Sequence, residues 1–469
     1  MLKAQTYPNY IIENLVLQQP RLPRPNVAEG PGDSTLPFPE NGRIQRYSYA
    51  NTVHRTPVYG PNLDVGFFRP KALTVDGGKY PVRSAPTYSW LKNTSFLNIK
   101  DPSQTGGLKI YGDGVHDDAS ALNKILRLAA VQGKVAYFPF GAYLVRSTVY
   151  IPSGSRIIGE AWPALVGAGA FFKDENNPKP VVQVGWPGEV GSVEIQDMRF
   201  TIAEVLPGAI IARFELAGRR PADVAMWNSM ITVGGTRGAS SLTDTCIDPS
   251  SPCKAVFMGL HLTQTSSVYL ENVWNWVADH IAEDFPGGSN FAGGRGMLVE
   301  SRRGTWLIGI GSEHWWLYQL TLKKAENVLL GLLQSETNYD QGANNPIPPP
   351  SPWTPHRALG DPSFSWCSQE DKRCRMGPAT FFAAGGKDIF IYAAASWVFF
   401  SGPGYQGCEG MGYCQRYMHF VEEIPARLHA FGLCSRETYA GLRLAGGEEI
   451  ITEEGFTGAW GGIVGRYVS

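Results

Sequence analysis

Short hydrophobic strands recur along this chain, and each is bounded by glycine, proline or asparagine. Six of them can be laid over one another, because each begins an apolar run that often bends after four residues at glycine, asparagine or alanine. The six segments are 193–198, 268–273, 305–310, 327–332, 388–393 and 426–431. Recurrence of one short strand in a fixed pattern predicts a stacked repeat, here a parallel β-helix in an all-β protein. A Greek-key sandwich would lack this self-similarity.

One long helix is predicted, over residues 119–132, where apolar residues fall at helical spacing. It follows the segment 112–118, Gly-Asp-Gly-Val-His-Asp-Asp. These aspartates have two interpretations, a calcium site or a helix cap that follows a tight glycine turn. Asp117 and Asp118 occupy the positions of an N-cap and a first-turn acid, and Gly133 that of a C-cap. We therefore favour the cap.

The N-terminal part of the chain predicts a different organisation. Residues 8–17 read as one strand, whereas 18–92 are rich in proline and show little periodicity. A single strand cannot bury its apolar side chains alone, so we expect it to belong to a domain that precedes it in the chain. The expected division is 1–17 as the last coil of a missing N-terminal β-helix, 18–95 as an interdomain linker, and 96–469 as a C-terminal β-helix domain.

Composition agrees with a turn-rich β protein and excludes several functions. The 469 residues include 54 glycines and 34 prolines, and 18% are charged, below the usual level of about 25%. With 41 basic and 42 acidic residues the net charge is -1, which gives no electrostatic basis for nucleic-acid binding. No apolar stretch approaches the roughly 18 residues of a membrane span. We expect a monomer without a nucleic-acid or membrane partner.

The seven cysteines indicate an oxidising compartment. Six form close pairs in turn-rich loops, Cys246/Cys253, Cys367/Cys374 and Cys408/Cys414, and Cys434 is left over. Local pairs of this kind are typical of disulfides in secreted proteins, and their spacing is too wide for a zinc knuckle. The first residues nevertheless contain no apolar segment long enough for a signal peptide. We therefore expect a secreted full-length form whose true N-terminus precedes Met1.

Two of the repeated strands end in Ser-Glu, at Glu313 and Glu336, 23 residues apart. If 23 residues make one coil, these glutamates stack on adjacent coils with backbones about 4.8 Å apart. Two carboxyl groups this close must differ in proton affinity, and one protonated and one ionised carboxyl is what glycoside hydrolysis needs. Nearby aromatic residues, including Trp315 and Tyr339, offer flat faces for sugar rings. Solvated corner glutamates beside core aromatics are the alternative.

Several segments resemble the family 55 glycoside hydrolases, mostly fungal β-1,3-glucanases. The matching segments are 296–301, 306–314 and 331–339, together with 112–118, which resembles the opening of that family's second pectate-lyase-like domain, and 273–280, which resembles a substrate-cleft strand. The resemblance runs in order from about residue 8 to the C-terminus. It implies two tandem right-handed β-helices with β-1,3-glucan bound between them, and neither a metal nor another cofactor.

The resemblance also implies roles for individual residues. Glu336 matches the general acid, with a pKa raised by partial burial, and Glu313 matches the carboxylate near the attacking water of an inverting reaction. The candidates for substrate contacts are Trp276, Asp279, His280, Tyr339 and Trp315. Since most of the first β-helix is absent, we expect weak or no activity from this chain. A catalytically inactive glucan-binding β-helix module is the alternative function.

A proline-rich loop at 344–355 follows Glu336. We expect it to close one end of the cleft and favour exo-action. Ser312 and Ser335 precede the two glutamates, but no His–Asp pattern makes either of them a nucleophile.

Overall fold

The structure is a computed structural model. It describes residues 2–3, 9–18, 26–51, 59–62, 69–235, 240–246, 251–279, 291–342, 347–398, 413–452 and 462–469. Within these ranges nearly all regular structure is β-strand. Neither of the two described α-helices is long and apolar enough to cross a membrane.

Six strands precede the repeated region. They are β1 (Leu2–Lys3), β2 (Tyr10–Val16), β3 (Asn26–Glu29), β4 (Leu36–Pro37), β5 (Arg43–Asn51) and β6 (Tyr59–Asn62). Strand β5 lies between β2 and β6 in an antiparallel sheet. The strand expected within 8–17 is thus confirmed, whereas the prediction that 18–92 is irregular is wrong in part. Spaced prolines break periodicity without preventing short strands between them. The role of this segment as a linker stays a prediction.

The remaining strands and the two helices follow in chain order. They are β7 (Phe96–Asn98), α1 (Ala119–Val131), β8 (Val135–Phe138), β9 (Ala142–Val145), β10 (Val149–Ile151), β11 (Arg156–Gly159), β12 (Ala164–Gly167), β13 (Lys179–Val184), β14 (Val190–Gly191), β15 (Val193–Gln196), β16 (Arg199–Ile202), β17 (Leu206–Phe214), β18 (Ala217–Gly218), β19 (Val224–Trp227), β20 (Met230–Val233), α2 (Ser240–Thr245), β21 (Val256–Leu262), β22 (Tyr269–Val277), β23 (Arg295–Val299), β24 (Thr305–Glu313), β25 (Tyr318–Lys323), β26 (Glu326–Glu336), β27 (Thr380–Ala384), β28 (Lys387–Trp397), β29 (Gln415–Val421), β30 (Ala426–Arg436), β31 (Thr438–Arg443), β32 (Glu449–Thr452) and β33 (Gly462–Val468).

Most of these strands form two large sheets that share one core. Strands β10, β13, β17, β21, β23, β25, β27, β29, β31 and β32 follow one another in a ten-stranded sheet. The second sheet has fifteen strands and includes β15, β19, β22, β24, β26, β28 and β30 in that order. Neighbouring strands in both sheets are parallel, with two exceptions at the C-terminal end. There β32 pairs antiparallel with β31, and β33 pairs antiparallel with β30. The prediction of a right-handed parallel β-helix is confirmed.

Residues with positive φ form a continuous column through the fifteen-stranded sheet, and the bends predicted at Asn272 and Gly309 belong to it. Asp197, Asn228, Asn272, Gly309, Leu332, Ala393 and Gly432 all have positive φ between 48° and 73°. The strand registers place each of them opposite the next. Asparagine and glycine tolerate this left-handed conformation best. Along the column, the Asn272 side chain donates to that of Asn228 over 3.0 Å.

The N-terminal end of the β-helix is covered by α1. Its buried face consists of Ala119, Leu122, Ile125, Leu126 and Ala129, which join the main core. The helix starts where the sequence predicts. Asp117 accepts a hydrogen bond from the backbone of Ala119, while Asp118 accepts two from the preceding turn, at Tyr111 and Gly112. Asp117 thus accepts from the first N–H of the helix. Asp118 occupies the N-cap position, but its carboxylate serves the preceding turn and makes no capping bond, so the predicted first-turn acid is wrong.

The segment 69–95 packs on the outer face of the fifteen-stranded sheet. Leu73, Tyr80 and Ala85 lie against the aromatic surface formed by Trp227, Tyr269, Trp306 and Phe390. Arg83 pairs with Glu194 on β15, which also accepts a hydrogen bond from Tyr88. This part of the chain is thus fixed to the β-helix by apolar contact and by an ion pair.

The predicted local disulfides are confirmed where they are described. Cys246 is bonded to Cys253 and Cys367 to Cys374. Cys414 is also disulfide-bonded, and Cys408, its predicted partner, lies outside the described residues. Cys434 is free, as expected, and burial raises the pKa of its thiol.

Candidate active site

The two candidate glutamates lie at the ends of neighbouring strands. Strands β24 and β26 pair in a register offset of 23 residues, which places Gly311 opposite Gln334. Beyond this pair, the backbone N–H of His314 donates to the carbonyl of Glu336 over 2.9 Å. Trp276 is in register with Glu313, and Trp397 with Glu336. A tryptophan therefore flanks the carboxyl pair on each side.

A stacked indole pair forms the floor beside Glu313. The rings of Trp274 and Trp276 lie 4.4 Å apart at 14°. Trp276 is buried, but Trp274 is 36% exposed and presents an apolar ring to solvent. Its Nε1 donates to Glu313 Oε2 over 3.0 Å. Trp274 thus combines an open stacking surface with a contact to a candidate catalytic carboxyl.

Glu313 is poised to hold a proton. Its side chain is only 6% exposed. Burial raises the pKa of Glu313 above its ordinary value of 4.5, the negative charge of Glu336 raises it further, and the positive charge of His314 acts against both. The neutral form is therefore favoured here more than in an exposed glutamate.

Glu336 has the opposite tendency. Burial by itself raises the pKa of this carboxyl, but hydrogen bonds from His314 and Tyr339 outweigh burial and lower the pKa below 4.5. His314 Nε2 lies 3.3 Å from Glu336 Oε2, the oxygen to which the Tyr339 hydroxyl also donates. Gln334 Nε2 donates to Oε1 over 3.4 Å. The expectation of a raised pKa at Glu336 is therefore wrong for the unliganded site, because hydrogen-bond donors surround the carboxylate.

The His314 side chain lies between Asp279 and Glu336. It is buried, and its Nδ1 lies 3.0 Å from the carbonyl oxygen of Val277. With Glu336 at the other nitrogen, both ring nitrogens face acceptors, so the doubly protonated ring is the form that satisfies them. Burial lowers the pKa of His314, but the hydrogen bond to Glu336 and the charges of Glu313 and Asp279 raise it above 6.5 overall.

Two aspartates complete the group. Asp279 Oδ1 lies 3.6 Å from His314 Nδ1, and the Asp279 side chain is partly exposed. Asp340, which follows Tyr339, has its pKa raised to about 6 by burial, with His314 acting in the opposite direction. Four carboxyl groups and one imidazole thus share one small region.

The structure brings together most of the predicted site residues. Glu313, Glu336, Trp276, Asp279 and Tyr339 lie within this group. Trp315 does not, because its ring is fully buried in the main core and donates to the carbonyl of Asn275. The predicted sugar contact at Trp315 is therefore wrong. His280 lies outside the described residues.

Neighbouring predictions can also be assessed. Ser312 lies on the inner face of its strand, where it accepts from Asn275 and donates to the carbonyl of Gln319, and this agrees with a structural role. In the proline-rich loop, residues 347–355 are described. Trp353 is buried there and donates to the carbonyl of Ala292, while Trp316 donates to that of Ser351. This part of the loop is a packed element.

The comparisons with known proteins agree with this architecture. Residues 96–179 match the family described as rhamnogalacturonase A/epimerase, pectate lyase-like. The chain is 50% identical over 471 residues to a glucan endo-1,3-beta-glucosidase of Trichoderma harzianum, covering 99% of this chain and 60% of that protein. This chain is therefore similar to that relative over almost its whole length.

Other similar proteins are more distant. A probable glucan endo-1,3-beta-glucosidase of Arthroderma benhamiae is 32% identical over 82% of this chain and 43% of its own length. Among solved structures, the sacteLam55A protein of Streptomyces sp. SirexAA-E is 13% identical, with a TM-score of 0.43 over 75% of this chain and 52% of that one. The chain thus spans about 60% of the Trichoderma relative's length and 43% of the Arthroderma relative's.

Two site residues, His314 and Trp274, were not identified from the sequence pattern alone. His314 follows Glu313 directly, and its inward direction depends on a positive φ of 64° that the sequence does not reveal. Trp274 precedes Trp276 by two residues, so both rings lie on one face of the strand. The i, i+2 spacing of two tryptophans was the available signal for this stacked pair.

Proposed function

We propose, against the expectation of weak or no activity, that this chain hydrolyses β-1,3-glucosidic bonds in laminarin-type β-1,3-glucan, because it carries both candidate carboxyl groups. The observation that carries the proposal is the pair Glu313 and Glu336, which end adjacent strands and have pKa values displaced in opposite directions. Glycoside hydrolysis uses two such carboxyl groups, one to protonate the leaving oxygen and one to accept a proton from water. The name of the Trichoderma relative supports the β-1,3-glucosidic bond as the substrate.

The surrounding residues suit a neutral sugar. The exposed face of Trp274 offers an apolar surface for one ring, and Asp279 and Tyr339 offer polar groups beside it. Sugar rings present apolar C–H faces that pack on aromatic rings, while their hydroxyl groups need hydrogen-bond partners. Trp274, Trp276, Asp279 and Tyr339 are therefore our proposed substrate contacts, and His280 is retained as a prediction.

We assign Glu336 as the general acid and Glu313 as the acceptor of a proton from the attacking water. In this inverting reaction Glu336 protonates the glycosidic oxygen while water attacks the anomeric carbon from the opposite face. The resting contacts favour a proton on Glu313 and an ionised Glu336. The acid must therefore receive its proton when substrate is bound, and Glu313 must lose its own.

The disulfides support secretion of this protein. Cys246–Cys253 and Cys367–Cys374 both close local loops, and such bonds persist in oxidising compartments. A β-1,3-glucan of the fungal cell wall would be accessible there.

Replacement of each glutamate by glutamine tests the function. Glu336→Gln and Glu313→Gln should each lower the release of reducing sugar from laminarin by about 10²–10⁴-fold, the usual contribution of a general acid or base. Glu326→Gln is the matched control, since Glu326 begins the strand that Glu336 ends. Binding of laminarin, measured by affinity electrophoresis, should persist in all three variants. A wild-type chain that binds laminarin without releasing sugar would contradict the proposal and favour the binding module.

A further inference from the structure

We propose that His314 stores the proton that Glu336 delivers to the leaving oxygen, and so acts as a positioning and proton-holding residue for the general acid. This inference rests on the proposed function of the same site. It explains how a carboxyl group that is ionised at rest can serve as the acid.

The positions of the two His314 ring nitrogens support proton transfer between His314 and Glu336. Its Nδ1 faces the carbonyl oxygen of Val277 at 3.0 Å, which fixes the ring and holds a proton on that nitrogen. Its Nε2 faces Glu336 Oε2 at 3.3 Å. The backbone of His314 also donates to the Glu336 carbonyl, so side chain and main chain are both tied to the same residue.

The neighbours of His314 favour its charged form when the cleft is open. Among the described residues, the titratable groups that act on it are Glu336, Glu313, Asp279 and Asp340, with the Tyr339 ring 4.4 Å away. All four carboxyl groups can carry negative charge. An imidazolium among them is stabilised, and Glu336 remains ionised as its partner.

Bound substrate shifts the proton from His314 toward Glu336. A sugar packed on Trp274 and over Glu336 excludes water, and a lower local dielectric favours the neutral pair of imidazole and carboxylic acid over the ion pair. The proton then moves from Nε2 to Oε2 without any change in the charge of the pair. The two groups titrate together, so the pair as a whole gains or loses one proton.

The full cycle balances in atoms and protons. Glu336 gives the stored proton to the glycosidic oxygen as the bond from the anomeric carbon to that oxygen breaks. The oxygen of water bonds to the anomeric carbon, and the proton of water passes to ionised Glu313. Glu313 then releases this proton to solvent, and after the products leave solvent returns a proton to the His314–Glu336 pair.

The pH dependence of kcat/KM follows from this cycle. The active form has no proton on Glu313 and one proton in the His314–Glu336 pair. The acidic limb therefore lies above pH 4.5, because the pKa of Glu313 is raised. The alkaline limb lies above pH 6.5, because the shared proton is held by a histidine whose pKa is raised.

The test is the pH profile of laminarin hydrolysis by the full chain and by His314→Gln. We expect the variant to lose at least tenfold in kcat and its alkaline limb to move at least one pH unit lower, toward the pKa of Glu336 alone. His261→Gln is the matched control, because His261 also contacts a glutamate, Glu300, but on the ten-stranded sheet. It should leave both limbs in place. An unmoved limb in His314→Gln would overturn the inference while leaving the hydrolytic function intact.

A second measurement does not depend on activity or on the stability of the variant. Nitrogen-15 NMR of the wild-type chain should show the His314 ring with both nitrogens protonated at pH 6, and laminaritriose should convert it to the neutral form. His314→Gln identifies the signal by its loss. A neutral His314 at pH 6 would overturn the inference. Absence of sugar release at every pH would instead contradict the proposed function.

Discussion

Trp274 and Gly311 face each other on adjacent strands, and the indole ring of Trp274 fills the space that a side chain at position 311 would need. A Cβ at Gly311 would lie 2.8 Å from Trp274 Cδ1. The glycine therefore allows the ring to lie flat beside the carboxyl pair.

We expect Gly311→Ala to lower activity on laminarin without preventing folding. The added methyl group would push the Trp274 ring away and break its hydrogen bond to Glu313, which removes part of the sugar platform. Gly331→Ala is the control, because a Cβ there meets only the flexible end of Ile308, at 3.1 Å. Steady-state kinetics should show reduced kcat/KM for the first variant and a nearly unchanged value for the second. Equal values would mean that the position of Trp274 is unimportant.

Trp274→Ala tests the stacking surface itself. Since Trp274 is partly exposed, its loss should cost little stability, whereas a lost sugar contact should weaken laminarin binding by about tenfold. Trp186→Ala provides the comparison, because Trp186 is also exposed and stacked, on Tyr150, next to the ten-stranded sheet. Isothermal titration should show weaker binding only for Trp274→Ala. Equal weakening in the two variants would place sugar binding outside the proposed site.

The buried ion pair of Arg295 and Asp361 should be important for stability. Both side chains are fully buried, and Arg295 also lies over the ring of Phe257. Asp361→Asn leaves the guanidinium without its counter-charge, so we expect a loss of about 3–5 kcal/mol in the free energy of unfolding. Urea denaturation measures this loss. Glu204→Gln removes the charge of a partly exposed pair with Lys173 and keeps an oxygen that can accept from Gly169, so it should cost less than about 1 kcal/mol. Equal costs would contradict the argument from burial.

The lowered pKa of Glu300 predicts that the fold becomes less stable at acidic pH. Burial opposes ionisation, but hydrogen bonds from His261 and Lys323 lower the pKa of Glu300 to about 2. A carboxyl whose pKa is lower in the folded state stabilises the fold above its unfolded pKa, and this contribution is lost as pH falls through the folded pKa. Stability should therefore decline between about pH 4.5 and pH 2. Glu300→Gln should show a shallower decline over this range in pH-dependent denaturation, and an identical slope would contradict the assignment.

The sequence predicts the repeat well because its signal is local. The bend residues at Asn272 and Gly309 tolerate a positive φ, and their recurrence locates the coils. The 23-residue offset also places Glu313 beside Glu336. The protonation of these two glutamates was harder to predict, because it depends on which donors converge on each carboxyl. Trp315 shows the same limit, since only the direction of its side chain separates a core residue from a sugar contact.

The anomeric form of the first product tests the central claim most directly. Proton NMR of laminarin during the first minutes of reaction with the wild-type chain should show the α-anomer at each newly formed reducing end, because an inverting enzyme reverses the β configuration. Glu336→Gln should release no such signal. Initial β-anomer would contradict the assigned roles of Glu336 and Glu313, and no product from the wild-type chain would contradict hydrolysis itself.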